Sequence, residues 1–247
     1  MTQRIAAVTG AARGIGLAVA RALLRDGLAV YGLDLDAQRL EASRRSLQAE
    51  GWTFRAKPAD LTDPEAVRRV FGEIEAETGG PDALVNNAGT CFMNDVLDIS
   101  PEELRRQMDV NFSSAFYCCQ AAIPRMLVRP GVKKIVNISS NGAYNFEVFD
   151  PVHYRASKAA LDTLTKHLAR RYARESVAVN SVAPAMTRTE LFDVVPPEDL
   201  EKALAGMPRG APMQPEEVAA WVAFLVSPAG DCSSGNVIIL NQGRDVR

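Results

Sequence analysis

Histidine, cysteine and surplus charge are what this chain of 247 residues has little of. Its 2 histidines, His153 and His167, and 4 cysteines, at 91, 118, 119 and 232, form no Cys-x-x-Cys pair and no zinc-ligand spacing. So few cysteines fit a reducing compartment. The adjacent Cys118 and Cys119 read as small buried helix residues rather than a redox pair. Neither sign of charge dominates: 28 basic residues stand against 30 acidic ones, a formal net charge of -2. That balance leaves no field to draw in nucleic acid or an anionic membrane, and Arg44 and Arg45 read as a solvated helix face. No run of about 18 apolar residues offers a membrane span, and the apolar stretch 5–8 behind Arg4 is too short for a signal sequence. The expectation is a cytoplasmic protein with no membrane or nucleic-acid partner.

What the chain does have is apolar residues, 47% of the total, at a length that suits one large α/β domain. Segments 5–8, 29–33, 83–85, 135–138, 177–182 and 237–240 are short, nearly continuous apolar runs, which predicts strands buried on both faces. Segment 53–57 is a weaker strand, nearer an edge. Helical patterns separate them: Ile15, Val19, Ala22 and Leu23 make one apolar stripe. Ser100-Pro101-Glu102-Glu103 starts a helix with a cap, a proline at the first position and a glutamate at the capping-box position. Asp63-Pro64-Glu65 and Gln214-Pro215-Glu216-Glu217 start two more in similar ways. Seven strands alternating with helices predict an α/β, doubly wound parallel sheet of Rossmann type with helices on both faces, in a single domain over 1–247. Only the stretch 186–212 breaks the rhythm, and it reads as a lid over a substrate cleft.

Strand one runs into Thr9-Gly10-Ala11-Ala12-Arg13-Gly14-Ile15-Gly16. Glycines at 10, 14 and 16 permit a tight turn and a close backbone approach, and the helix that follows points free N–H groups at a pyrophosphate. Strand two ends at Asp34, about 24 residues after Gly10. A carboxylate there accepts hydrogen bonds from both ribose hydroxyls of adenosine and repels a 2′-phosphate. Arg13 argues the other way, without a basic partner at Leu35, so NAD is expected over NADP.

Strand five ends in Ser139-Ser140, and Tyr154 and Lys158 lie four residues apart on one helix face. Hydride exchange with a carbinol carbon needs a group that takes or gives the hydroxyl proton. A tyrosine with pKa near 10 is a poor base at neutral pH. An ammonium about 5 Å away stabilises its phenolate by roughly 3 kcal/mol at an effective dielectric of 20, or about 2 pKa units.

These pieces resemble a classical short-chain dehydrogenase/reductase over nearly the full length. The resemblance is carried by the glycine loop, Asp60-Leu61, Asn86-Asn87-Ala88-Gly89, Asn111, the serines ending strand five, Tyr154-Arg155-Ala156-Ser157-Lys158 and Asn180-Ser181-Val182-Ala183-Pro184. It implies that Asp60 and Leu61 hold the adenine edge and that Asn87, Ala88 and Gly89 line the cofactor cleft. Tyr154 would be the acid/base, and Lys158 would lower its pKa and bind the nicotinamide ribose. Asn111 would anchor a relay water, and Ser140, rather than Ser139, would orient the substrate oxygen. Thr187 and Thr189 would lie near the nicotinamide carboxamide. It also implies a homotetramer. Three departures from the family pattern concern the substrate side: Ala185 after Pro184, Asn241-Gln242-Gly243 after the last strand, and a Ser140-to-Tyr154 loop about one residue longer than usual.

Candidate pocket walls are Cys91, Phe92 and Met93; Asn141, Tyr144, Phe146, Phe149 and His153; and Met186, Leu191 and Phe192. Glu147, Asp150, Glu190 and Asp193 predict an acidic rim that disfavours strongly anionic substrates. The expected activity is NAD-dependent hydride transfer with a small-molecule secondary alcohol or ketone. Sugar or polyol, cyclic alcohol, hydroxy acid and 3-oxoacyl-carrier substrates stay open, as does a non-catalytic nucleotide sensor on the same fold.

Overall fold

The computed structural model describes residues 3–145, 151–190, 195 and 197–244. Seven parallel strands form one sheet: β1 (Ile5–Thr9), β2 (Ala29–Asp34), β3 (Phe54–Pro58), β4 (Ala83–Asn86), β5 (Lys133–Ile138), β6 (Val177–Pro184) and β7 (Val237–Leu240). Their spatial order is β3-β2-β1-β4-β5-β6-β7. The chain winds outward from β1 to one edge, then returns to β4 and winds to the other. The resulting split between the carboxyl ends of β1 and β4 is where open α/β sheets bind ligands.

Helices α1 (Gly14–Arg25), α2 (Ala37–Ala49) and α8 (Pro215–Val226) cover one face, burying Leu23, Leu40, Leu47 and Val222. Helices α3 (Pro64–Thr78), α5 (Ser114–Leu127) and α6 (Val152–Tyr172) cover the other with Phe71, Ile74, Met126 and Leu161. The short helices α4 (Pro101–Met108) and α7 (Pro197–Ala205) lie at the carboxyl end of the sheet's connections. This is the expected Rossmann-like architecture.

The central strands are buried throughout, as continuous apolar runs predict. Strand β7 is not: it is a sheet edge, and Ile239 is 40% exposed. Its apolar run signals a face left open, rather than burial on both sides. Strand β5 also begins earlier than its apolar run, at Lys133-Lys134, two buried lysines. Lys133 Nζ lies 2.8 Å from Asp82 and Lys134 Nζ lies 2.7 Å from Asp231. Helix starts follow their signals, with one change. Ser100 Oγ accepts from the Glu103 N–H at 3.1 Å, but the Glu103 carboxylate goes to His153 Nε2 at 3.0 Å and Asn94 Nδ2 at 2.5 Å instead of back to the cap. Gln214 does form the reciprocal box, its N–H donating to Glu217 at 2.8 Å. Arg44 and Arg45 both pair with Glu41 on the solvated face of α2.

At the amino end of the sheet, buried Asp82 accepts from Ile5 N at 2.9 Å, Arg129 Nη2 at 2.9 Å and Lys133 Nζ at 2.8 Å. Burial pushes this carboxyl up, and the hydrogen bonds from Arg129, Lys133 and Ile5 outweigh it, leaving it below its ordinary value. Removing one partner of such a cluster strands the others without a counter-charge. Asp82→Ala is expected to cost about 3–5 kcal/mol, read as a lowered urea midpoint at pH 7. An unchanged midpoint would show the cluster adds nothing.

Candidate active site

The turn from β1 into α1 fixes the site's floor. Gly10 and Gly14 adopt φ of +63° and +54°, values that favour glycine. A Cβ on Gly16 would sit 2.0 Å from the Gly10 carbonyl oxygen and 2.5 Å from Asn87 Nδ2. Asn87 Nδ2 donates to Thr9 O at 2.9 Å and Gly10 O at 3.1 Å, and Thr9 Oγ1 accepts from the N–H groups of Asn87 and Ala88 at 2.8 and 2.9 Å. The ends of β1 and β4 are thereby knotted together beneath the helix start.

A cleft of about 760 Å³ opens above this floor. All the expected cofactor positions except Gly16 line it: Gly10, Arg13, Gly14, Ile15, Asp34, Asp60, Leu61, Asn87, Ala88, Gly89, Thr187 and Thr189, with Tyr154 and Lys158; of the catalytic candidates Ser140 lines it too, and Asn111 does not. Gly16 lies beneath the turn. Asp34 Oδ2 accepts from Ala12 N and Oδ1 from Asp36 N, both at 3.0 Å, which sets the carboxylate at the cleft edge. Asp60 Oδ1 accepts from the side chain and backbone of Thr62 at 2.7 and 2.9 Å, and these bonds hold its carboxyl below the usual range.

Helix α6 supplies Tyr154 and Lys158. Lys158 is buried, its Nζ donates to Ile138 O at 2.8 Å, and it stands 5.9 Å from the centroid of the Tyr154 ring. Burial pushes Lys158 down to about 8, against the opposing pull of Asp162 and Cys91. One further turn along α6, buried Asp162 accepts from Ser139 Oγ and Tyr144 Oη at 2.8 Å and from Ser181 Oγ at 2.6 Å. This separates the two serines of β5. Ser139 is committed to Asp162, whereas Ser140 Oγ accepts from Gly142 N at 3.0 Å and keeps its own proton to donate. Arg155 donates to Gly142 O at 2.8 Å and to Asn145 O, tying the start of the serine–tyrosine loop to α6.

Asn111 sits in a π-helical turn, Asp109–Ser113, between α4 and α5. Its Oδ1 accepts from Thr90 N at 2.8 Å, and its Nδ2 donates to Thr90 O at 2.9 Å and Ser157 Oγ at 3.0 Å. The wider turn lets this side chain join the strand-four loop to α6. A Cβ on Gly89 would lie 3.4 Å from both Asn111 Oδ1 and Lys158 Nζ, so glycine keeps these two groups adjacent to one open position.

On the substrate side, Cys91, Phe92, Met93, Asn141 and Met186 line the cleft. His153 and Tyr144 do not: the His153 ring is buried against Glu103, and the Tyr144 hydroxyl points at Asp162. Phe146, Glu147, Phe149, Asp150, Leu191, Phe192 and Asp193 fall outside the described residues. Glu190 is not a free rim acid. It pairs with Arg13 of the glycine turn, and with Arg39 Nη1 of α2 at 2.6 Å. Those hydrogen bonds, Arg39's first, hold its carboxyl low. Arg39, Asp162 and Arg244 were not among the sequence candidates. The i, i+4, i+8 spacing of Tyr154, Lys158 and Asp162 on one helix face would have pointed to Asp162, whereas no local signal marks the other two.

The fold and site define a dinucleotide-binding α/β protein with a tyrosine–lysine pair beside its cleft. A family profile described as enoyl-(acyl carrier protein) reductase matches residues 10–245. The oxidoreductase UcpA of Escherichia coli K12 is 31% identical over 253 residues, spanning 98% of this chain and 95% of its own. A 2,3-dihydroxy-2,3-dihydro-p-cumate dehydrogenase of Pseudomonas putida is 32% identical over 244 residues, spanning 97% and 93%. Among solved structures, the Pseudomonas aeruginosa RhlG/NADP active-site complex superposes with a TM-score of 0.91 at 32% identity, covering 99% of this chain and 97% of that one. The chain belongs to the short-chain dehydrogenase/reductase family of oxidoreductases, which bind a nicotinamide cofactor. The backbone cradle that a Cβ at Gly16 would disrupt, with α1 opening onto it, fits the pyrophosphate of that group.

The buried ammonium has a measurable signature. An unfolded lysine keeps its proton up to about pH 10.4, while folded Lys158 releases it near 8. Between these values the unfolded chain binds more protons, so stability rises with pH. The stability of the cofactor-free protein relative to Lys158→Met should therefore climb between about pH 8 and 10.4 and stay flat from pH 6 to 7.5, as read by urea midpoints. A difference flat across the whole range would mean the ammonium is solvated.

Proposed function

We propose that the protein is an NAD-dependent dehydrogenase/reductase that exchanges a hydride between the cofactor and the carbinol carbon of a small-molecule secondary alcohol or ketone. The observation that carries this is that Tyr154, Lys158 and Ser140 line the same cleft as the glycine loop, with Lys158 Nζ beside the space at Gly89. Bound NAD supplies the hydride acceptor or donor. Ser140 Oγ donates to the substrate oxygen and fixes its direction. Tyr154 Oη takes the hydroxyl proton in oxidation and returns it in reduction. Lys158 spends one proton on Ile138 O and keeps two for the cleft, where its charge favours the phenolate form of Tyr154. The open position between Asn111 Oδ1 and Lys158 Nζ suits a water that carries the proton onward.

NAD is assigned over NADP on the carboxylate of Asp34. The opposing observation is the pair Arg13 and Arg39, cations suited to a 2′-phosphate, but Glu190 takes both. A homotetramer is assigned on two exposed apolar faces: Trp221 and Phe224 of α8 with Ile239 of β7, and Leu104, Phe116 and Leu127 along α4 and α5. The free thiols of Cys118, Cys119 and Cys232 support a cytoplasmic location. The stretch 186–212 is assigned as the lid of a single domain spanning residues 1–247. Its start is anchored to Met213: Met213 N donates to Met186 O and Arg188 N donates to Met213 O, both at 2.8 Å, on either side of a Thr187–Met213 bridge.

At equal concentration NAD⁺ should raise the melting temperature more than NADP⁺, about 2.7 kcal/mol of added stability corresponding to a hundredfold excess over Kd. The reverse order would overturn the role of Asp34. Tyr154→Phe should lower turnover by about 10²–10⁴-fold, the usual scale of general acid–base catalysis, while NAD⁺ affinity stays within a few-fold. Wild-type turnover in that variant would remove Tyr154 from the chemistry.

A further inference from the structure

Most charged side chains along the cleft belong to its adenosine end. Asp34, Asp36 and Asp60 follow β2 and β3, Arg13 and Glu190 pair with one another, and Arg106 acts on Asp60. Lys158 serves the reacting centre. The remaining charge is Arg244, which follows β7 at the opposite edge of the sheet and lines the same cleft, as do Met186 and Val195. It is half-buried, and among the described residues no carboxylate pairs with it.

The tail that carries Arg244 is a constructed turn. Gln242 adopts φ +58°, a left-handed conformation that favours glycine, and its side chain is used in full. Gln242 Oε1 accepts from Arg209 N at 3.1 Å and Nε2 donates to Ala211 O at 3.2 Å. Asn241 closes the turn, Oδ1 accepting from Gly243 N at 3.1 Å and O accepting from Arg244 N at 3.0 Å. Opposite lies Gly206, which has no positive φ to explain it. A Cβ there would meet the Arg244 guanidinium at 2.9 Å. Backbone strain, two side-chain anchors and a glycine seat all serve to hold one cation against the wall of the cleft.

We infer that Arg244 is the recognition point for a carboxylate on the substrate, so that the alcohol oxidised is a hydroxy acid, its carboxylate at Arg244 and its hydroxyl at Ser140 and Tyr154. This rests on the dehydrogenase reading above and narrows its substrate class. The same cleft is lined by Met93, Ala185, Met186 and Val195, apolar side chains that suit the carbons separating the two groups. A planar guanidinium matches a carboxylate with two parallel hydrogen bonds. One cation at the carbonyl end of α7 balances a single negative charge and is a poor seat for a dianionic phosphate.

The test uses the full-length protein with NAD⁺ and straight-chain 3-hydroxy acids of four to ten carbons, each beside its methyl ester. Wild type should favour the best acid over its ester by at least tenfold in kcat/KM. Arg244→Met should lower that ratio at least tenfold through KM, Arg244→Lys should restore part of it, and Gln242→Gly, which frees the turn, should lower it several-fold. Equal use of acid and ester, an equal loss on both in Arg244→Met, or a preference for a phosphorylated carrier thioester over the free acid would overturn the assignment. If no acid or ester is oxidised while a simple secondary alcohol is, the hydroxy-acid assignment fails; if none of the three is oxidised, the dehydrogenase reading is what fails, and calorimetry with the same acids and NAD⁺-loaded protein decides the subsite separately. Binding at least tenfold tighter to wild type than to Arg244→Met supports it; equal or absent binding overturns it.

Discussion

Everything in the cleft depends on the contact between the glycine turn and the end of β4. No room for even a Cβ separates Gly16 from the Gly10 carbonyl, and Asn87 bridges the two strand ends through hydrogen bonds to main-chain oxygens. The β1–β4 ladder sets the register up to Val8 and Val85, and these side-chain bonds carry the connection on past the strand ends. Once they are held, the start of α1 aims its N–H groups into the cleft. Gly89 then brings the space beside Asn111 and Lys158 within reach of the same floor.

The second constraint is dielectric. Lys158 gives the site its positive charge from a position where water is excluded, and its ammonium is weakened as an acid–base anchor by that exclusion. Asp162 offsets part of this from one turn away while collecting hydroxyls from Ser139, Tyr144 and Ser181. The carboxylate thus joins β5, β6, the serine loop and α6 behind the reacting residues. A buried acid with three hydroxyl donors is well satisfied and makes the surrounding backbone specific rather than merely compact.

The sheet and the cofactor end were largely legible in the sequence, because both obey local rules: apolar runs of strand length, helix caps, and glycines at fixed offsets. What was missed depends on partners distant in the chain. Lys133 and Lys134 open β5 because Asp82 and Asp231 meet them there, and a hydrophobicity pattern stops short of such residues. Glu103 looked like a capping-box residue, yet His153, 50 positions away, claims its carboxylate. Glu190 looked like part of an acidic substrate rim, but Arg13 and Arg39 draw it to the glycine turn and α2. β7 carried the pattern of a buried strand because an exposed apolar edge and a buried one are written in the same residues. The departures at Asn241-Gln242-Gly243 were visible as departures, but the packing of the tail's Arg244 against Gly206 was not, because the two lie far apart in the chain.

The Asp82 cluster gives the molecule a division of labour along its strands. Its charges brace the amino ends of β1, β4 and β5, whereas the catalytic candidates crowd the carboxyl ends of the same strands. Each strand is only four to six residues long here, yet that is enough to place rigidity and reactivity at opposite poles. For an evolving lineage, changes that reshape the cleft mouth leave the brace untouched, so new substrate preferences arise on a scaffold whose robustness is stored elsewhere.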